Sequence, residues 1–461
     1  MLYSKNIKQE EKEYDLIVCG AGMSGFGAAL AAAEEGLRVL LIERGTCVGG
    51  VATQGLVNHI LGGRNYHCGE LISSIGGIYA RLEKTLLEEG AAVDVNTVDF
   101  SNPPHGWFPV LAAGVIINGE KAKLVLERLL TDAGVEILYN TNVIDAVKND
   151  GKISGLVIYN KGGLSFAKGR YFADATGDAD ICAFAGCPYL VGDEEHGVAP
   201  VSLEMHVENV DYEELSEYMN KTRDVRFKNL IPPLRDKGIW NFPYEIFISV
   251  MLVEKDVFMI NTNRMVGIDA LDERSVTKGI IDSRRENYRL FDIMKKYFPG
   301  FKNSRIRSIA PALGIRESRR IVGEYVMTVD DLAENKRFDD AIAYSLYGWD
   351  LPDPKKPSLQ PDAERSKSMY TPIPYRCLLP TGVGNLIVAG RCISVERPVL
   401  GPVRVMAPCI AMGEAAGYAT RIALDGGLAY KSIDISLLRE KILQKGGMLH
   451  FEGEPTESSE Q

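Results

Sequence analysis

The chain has little of what marks several protein classes. Its eight cysteines, Cys19, Cys47, Cys68, Cys182, Cys187, Cys377, Cys392 and Cys409, include no C-x-x-C pair, and several lie in apolar runs. That spacing excludes a cysteine zinc site and a disulfide scaffold and points to reduced, buried thiols. No metal site is expected. No run of 18 apolar residues occurs, so no membrane-spanning helix is expected either. Basic charge is in deficit, with a formal net charge of −10. Phosphate binding needs a basic surface, so nucleic acid and anionic membranes are poor partners. Residues 1–14 hold neither an apolar core nor twin arginines, which argues against a secretory signal and for a cytoplasmic protein. At 461 residues the chain exceeds one compact core, and two or three domains are expected.

What is present is concentrated near the start. An apolar run at residues 16–19 reads as a buried strand and leads into Gly20, Gly22 and Gly25 in G-x-G-x-x-G spacing. An alanine-rich helical run follows at 26–35, ended by Gly36, and a second buried strand at 38–42 ends at Glu43. In this context Gly20 permits a tight turn, Gly22 lets backbone approach a pyrophosphate, and Gly25 lets helix pack on strand. The helix N-terminus offers free N–H groups to phosphate, and Glu43 can accept from ribose hydroxyls. The bland alternative is a glycine-rich turn before a core helix. The acid at the end of the second strand favours the dinucleotide site.

Gly45, Gly49, Gly50, Gly55 and Gly62 then form a flexible stretch suited to a large flat ligand. Residues 56–117 are a loop-and-helix excursion carrying His59, Tyr66, His67 and His105, with an amphipathic helix at 78–90. A helix is expected at 119–132 and a strand at 135–139. Strands at 142–148, 153–159 and 170–175 read as an antiparallel meander, ending in Ala175, Thr176, Gly177 and Asp178. Residues 196–375 read as a separate unit. It has an alternating strand at 201–207, strands at 247–253 and 257–261, and a long helix at 275–297 capped near Asp272 or Ser275. A linker is expected at 350–374. Residues 376–430 return to the first unit with a buried strand at 385–391 and a small-residue helix at 404–422 containing Gly413, Glu414 and Gly417. Residues 1–13 read as a tail, 14–195 as the first part of the nucleotide-binding unit, and 431–461 as a terminal helix and acidic tail.

This set of motifs is similar to the FAD-dependent oxidoreductases of the fumarate reductase and succinate dehydrogenase flavoprotein type. It more closely resembles the broad bacterial group of FAD-dependent oxidoreductases, through G-I-R-E-S-R-R at 314–320 and the A-G-R and R-V-M blocks at 389–391 and 404–406. The resemblance implies an α/β fold: a Rossmann-like FAD-binding domain of the glutathione-reductase or p-hydroxybenzoate-hydroxylase type, with an inserted mixed α/β substrate domain. It implies that Gly20, Gly22 and Gly25 hold the pyrophosphate and Glu43 the adenosine ribose. Arg44 would line the adenine side, with Val143 bonding adenine through its backbone. Gly50 and Thr53 would run past the ribityl chain and flavin, and Ala175, Thr176 and Gly177 beneath the adenosine. Gly390, Arg391 and the helix bearing Gly413 would face the pyrophosphate or the flavin. Relatives that attach FAD covalently use a histidine just after the double glycine. Residues 51–55 contain none, so non-covalent FAD is expected, with His59 as the nearest exception.

For chemistry, Arg316 and Arg320 stand four apart, one face of a helix, where an anionic substrate could bind with Arg319 nearby. An ion-pair cluster with Glu317 and Glu324 is the structural alternative. Arg404 precedes the small-residue helix and could touch substrate or flavin, or brace a junction. His59, Tyr66, His67 and His105 are acid–base candidates by type, although a solvated or core histidine is the commoner role. Tyr370, Glu396 and Arg397 rank below them. The expected reaction is hydride exchange between flavin N5 and a small organic substrate, by a dehydrogenase or reductase. No second G-x-G-x-x-G occurs, so no NAD(P)H domain is expected. A flavin monooxygenase and a flavoprotein subunit of an electron-transfer complex are the alternatives. A redox partner and a homo-oligomer are left open.

Overall fold

The computed structural model describes residues 8–67, 70–98, 113–193, 197–353, 355 and 370–450. The apolar run ending at Cys19 lies inside a seven-stranded sheet. Its strand, Lys8–Cys19, begins within the stretch expected to be a tail, because Lys8 and Gln9 already pair with Ser165 and Phe166. Six strands run in the order Glu136–Leu138, Val39–Ile42, Lys8–Cys19, Gly163–Asp174, Lys152–Asn160, Asn142–Asn149, and the seventh, Leu386–Val388, pairs with Gly163–Asp174. Val39–Ile42 is buried along its length, as a parallel strand covered on both faces requires.

Strand Gly163–Asp174 joins three parts of the chain. Its first half, residues 163–168, pairs antiparallel with Lys152–Asn160 and so closes the meander ahead of the expected strand at 170–175. Its last residues, Phe172 to Asp174, run parallel to Lys8–Cys19 on one side and to the returning strand Leu386–Val388 on the other. Strand ends from three distant segments therefore meet on one edge, where α/β sheets bind ligands. Helix Met23–Glu34 packs on helix Met406–Gly426. A Cβ at Gly413 would lie 2.0 Å from the Ser24 carbonyl oxygen, so only glycine permits that approach.

A second, four-stranded antiparallel sheet has the order Ser249–Met251, Phe258–Ile260, Met205–Glu208, Arg305–Ile309. Helix Glu273–Tyr297 covers it, with the Asp272 side chain accepting from the Arg274 N–H as its N-cap. Leu290, Phe291 and Met294 of this helix bury against an aromatic cluster that includes Phe227, Trp240, Phe247 and Phe298. The Phe227 and Phe298 ring centres are 4.7 Å apart. Burying each such side chain contributes about 1.5–3 kcal/mol. This core draws on residues from Met205 to Phe301, whereas Ile321, Met327, Phe338, Ile342 and Tyr375 pack into the core of the first sheet. The cap expected over 196–375 thus divides between two cores.

The helix expected around Arg316 and Arg320 does not form. Gly314 and Ser202 exchange backbone hydrogen bonds, and Arg319–Ile321 pairs as a strand with Tyr189–Val191. Tertiary partners take up the backbone groups that a helix would have used. The linker reading of 350–374 also changes: Asp350 lies at a cavity wall and Thr371–Pro374 is a strand. The seven described cysteines are buried free thiols. Among the described residues no helix is long and apolar enough to cross a membrane.

Candidate functional site

A cleft of about 240 Å³ opens at the ends of the parallel strands. Gly20, Gly22, Glu43, Arg44 and Gly50 line it, with Ala175, Thr176, Gly177, Gly390, Arg391, Arg404 and Met406. The three glycines of the fingerprint divide their work. Gly20 turns with φ +93°, and a Cβ at Gly25 would fall 1.8 Å from the Gly20 carbonyl oxygen. Those two are demanded by the protein's own packing. A Cβ at Gly22 would meet no protein atom within 4 Å, so its backbone faces the cleft at the start of helix Met23–Glu34. The Glu43 carboxylate accepts from the Ala21 N–H at 2.7 Å and the Gly45 N–H at 2.6 Å, which fixes it at the rim. Its remaining lone pairs can take hydroxyl donors.

A second cleft of about 110 Å³ adjoins the first and shares Gly20, Glu43, Arg44 and Thr176 with it. Its far wall is Thr141, Asn142 and Val143, at the start of the meander. Behind the floor, Arg391 pairs with Asp178, to which the Ser318 hydroxyl donates at 2.6 Å. Burial acts to raise Asp178, but Arg391 and Ser318 hold it below the usual carboxylate range. The donor set fits a dinucleotide: a bare backbone turn at a helix N-terminus for pyrophosphate, and an acid for ribose.

Where the first cleft meets the second sheet, a third cavity of about 160 Å³ begins. The two share Val51, Ile315, Arg404 and Met406 as wall residues. Arg264, Arg316 and Arg404 line the third cavity with Glu204, Tyr347 and Asp350. Arg316 donates to the Pro200 carbonyl at 2.8 Å, and Arg404 donates to the Asp350 carbonyl at 2.5 Å. The Tyr347 hydroxyl donates to the Asp350 carboxylate at 2.7 Å. Burial acts to raise Asp350, yet Arg404, Tyr347, Arg264 and Arg316 keep it below the usual range. Burial lowers Arg316, and the like charges of Arg264 and Arg404 add to that. Burial pushes the Glu204 carboxyl upwards against the pull of Arg316 and Arg264. Cationic groups therefore outnumber ionised carboxylates in this cavity.

Most residues singled out from the sequence line these cavities, and some do not. His59, Arg316 and Arg404 all line the third. Strand Arg64–His67 ends at His67, whose side chain lies outside the described residues, as does His105. Thr53 is buried behind the first cleft, donating to the Val48 carbonyl at 2.7 Å, and so braces the double-glycine loop without lining the cleft. Gly413 is a correction of the same kind: it serves the contact between two helices and lines none of the three cavities. Gly25, likewise, is a packing residue.

Of the arginine set, Arg319 bonds Asp180 at 2.8 Å and Arg320 bonds the buried Glu317 at 2.6 Å. Arg397 completes the Glu317 cluster at 3.0 Å, while Glu324 pairs instead with Lys431. Glu396 accepts from the Val329 N–H, and Tyr370 packs edge-on against Tyr344. Glu204, Arg264, Tyr347 and Asp350 were not legible from sequence. One signal was present: Ser202, Glu204 and His206 form the polar side of the alternating run, and all three are buried. Ser202 donates to the Asn263 carbonyl, Glu204 lines the third cavity, and His206 bonds the Leu56 carbonyl, so that side meets protein instead of solvent.

Known proteins share parts of this chain. Protein FixC of Escherichia coli K12 is 30% identical over 156 residues, covering 32% of this chain and 33% of FixC. Digeranylgeranylglycerophospholipid reductase 1 of Methanococcoides burtonii is 26% identical over 182 residues, 38% of this chain and 40% of that one. These matches span about a third of FixC and two fifths of the reductase. Among solved structures, the p-nitrophenol 4-monooxygenase PnpA of Pseudomonas putida DLL-E4 superposes with a TM-score of 0.49 at 13% identity, covering 95% of this chain and 86% of PnpA. A family model described as FAD dependent oxidoreductase matches residues 15–442, and the chain belongs to that family.

Proposed function

We propose that this FAD-dependent oxidoreductase acts on a small anionic organic molecule held by Arg264, Arg316 and Arg404. FAD supplies hydride transfer when bound. The residues of the first two clefts fit it. Val143, Arg44 and Glu43 would hold the adenosine, with Thr176 beneath. Gly22 and the N-terminus of helix Met23–Glu34 would hold the pyrophosphate, with Gly390 and Arg391 on its other side. Gly50 would pass the ribityl chain, and the N-terminus of helix Met406–Gly426 would stabilise negative charge on the flavin. The link is non-covalent in this reading. The observation that carries the substrate assignment is the shared wall of Val51, Ile315, Arg404 and Met406, which sets the arginine cavity against the cofactor cleft. Guanidinium groups bind carboxylates bidentately and orient them.

The chain's side chains do three things in this scheme. The arginines anchor the anion, Tyr347 and Asp350 fix Arg404, and Val57, Leu61 and Ile248 exclude water. The reaction in the first reading is hydride exchange. Oxygen-dependent hydroxylation is the second, because the same apolar wall would also shelter oxygen chemistry from water. The test is the purified yellow protein. Acid precipitation should release the flavin to the supernatant, and anaerobic screening of small carboxylates should find one that bleaches it or reoxidises its reduced form. NAD(P)H oxidation coupled to hydroxylation of a carboxylate in air would select the second reading. Bleaching only by neutral compounds would sink the anionic assignment.

A further inference from the structure

The arginine cavity holds one acid that the reading above leaves without a task. Glu204 sits immediately before strand Met205–Glu208 and lines the cavity beside Arg264 and Arg316. It is buried, and its Oε2 has no hydrogen-bond partner among the described residues. Other buried acids of this chain are built differently. Glu317 is gripped by Arg320 and Arg397, and Glu414 accepts from the Ile78 N–H at 3.1 Å and the Tyr418 hydroxyl at 3.0 Å. A buried carboxylate with an open oxygen loses much of its solvation free energy. A neutral carboxylic acid loses less and presents an O–H to the cavity. The upward push of burial on Glu204 agrees with that form.

We propose that Glu204 is the proton-transfer residue of this pocket, exchanging a proton at Oε2 with the bound anion. The inference rests on the reading of the cavity as an anion site beside the flavin. In the reducing direction the Glu204 O–H bond breaks and that hydrogen bonds to the substrate atom next to the one receiving hydride. The substrate gains one hydride, supplied by reduced FAD, and one proton. The carboxylate left on Glu204 stands in the positive field of Arg316 and Arg264 until solvent returns the proton. Oxidation runs in reverse, with the carboxylate taking the proton. The other charged or titratable groups sharing the cavity are His59, Arg264, Arg316, Tyr347, Asp350 and Arg404. His206, two residues along, is held by the Leu56 carbonyl at 2.8 Å.

The holoenzyme carrying carboxyl-¹³C glutamate tests this by infrared spectroscopy. At neutral pH it should show an isotope-shifted acid C=O band that is missing from Glu204→Gln. Malonate titrated into wild-type holoenzyme, followed by flavin absorbance, should bind more weakly as Glu204 ionises, up to about tenfold per pH unit. Glu204→Gln, which keeps a donor and cannot ionise, should bind malonate with a profile that stays flat until Arg316, lowered to about 9, loses its charge. Glu204→Asp should restore a pH dependence. An identical pH profile in wild type and Glu204→Gln, or an infrared spectrum without the Glu204 acid band, overturns the proposal and leaves the anion site standing. Malonate that perturbs the flavin at no pH overturns both. If Glu204→Gln failed to retain FAD, a flat malonate profile in the wild type would be decisive against the proposal, and a falling one together with the acid band would support it.

Discussion

The floor of the cofactor cleft and the wall of the arginine cavity adjoin, but they are assembled in opposite ways. The turn at Gly20, Ala21 and Gly22, the start of helix Met23–Glu34 and Glu43 come from one short stretch and are fixed by backbone sterics. The arginine cavity takes Glu204, Arg264, Arg316, Asp350 and Arg404 from separate parts of the chain and holds them by buried charge. A site of the first kind tolerates few changes of residue size. One of the second kind tolerates size better and depends on how its charges balance.

The largest effect expected from this contrast lies in the glycines. Gly25→Val drives a side chain into the Gly20 carbonyl and should cost upwards of about 3 kcal/mol, with loss of bound FAD. Gly22→Ala has room within the protein, so it should fold with a near-normal melting temperature and bind FAD more weakly. Thermal melts and flavin content measure both. Equal melting temperatures for the two variants would break the distinction between packing and ligand glycines.

Next come two arginines four residues apart. Arg320→Met leaves the buried Glu317 with Arg397 and the Ala199 N–H and should cost up to about 3 kcal/mol of stability. Arg316→Met removes a cavity charge bonded mainly to the Pro200 carbonyl. It should fold with less loss and weaken binding of small carboxylates by at least about tenfold. Calorimetry and anion titration separate the two. The reverse pattern would return the substrate role to Arg320.

Acid should affect the two regions in different windows. Burial and the neighbouring Arg307 lower His206, in the second sheet, to about 4 from an ordinary value of 6.5. The unfolded chain therefore binds that proton first, and stability falls as pH drops from about 6.5 towards 4, then levels. Asp178, behind the cofactor cleft, sits below its ordinary value of 3.8. Its stabilisation is whole above that value and is lost only as pH falls through the lower folded value. His206→Gln should flatten the upper part of a plot of melting temperature against pH, and Asp178→Asn the lower part. A single shared window would remove the assignment.

The legibility of the sequence follows the same division. The turn after Cys19 and helix Gly119–Asp132 rest on local patterns and stand where those patterns placed them, while the strand ending at Cys19 begins at Lys8, ahead of its apolar run. The segment around Arg316 misled because charge spacing says nothing of tertiary strand pairing, and Gly314 bonds Ser202 instead of continuing a helix. Gly413 misled because a small helical residue can serve a neighbouring helix as readily as a ligand. Asp350 gave no local signal, and Glu204 only its place on the polar side of an alternating run, since only the folded chain brings them to Arg264 and Arg404.

The central claim is that an anion held by the arginine cavity lies against the flavin. Its most direct measurement is the visible difference spectrum of the holoenzyme as acetate is added, in wild type and in Arg316→Met. The account predicts a saturable shift of the flavin bands in the wild type that is largely lost in the variant. A shift of equal size and affinity in both, or none in the wild type, would contradict it.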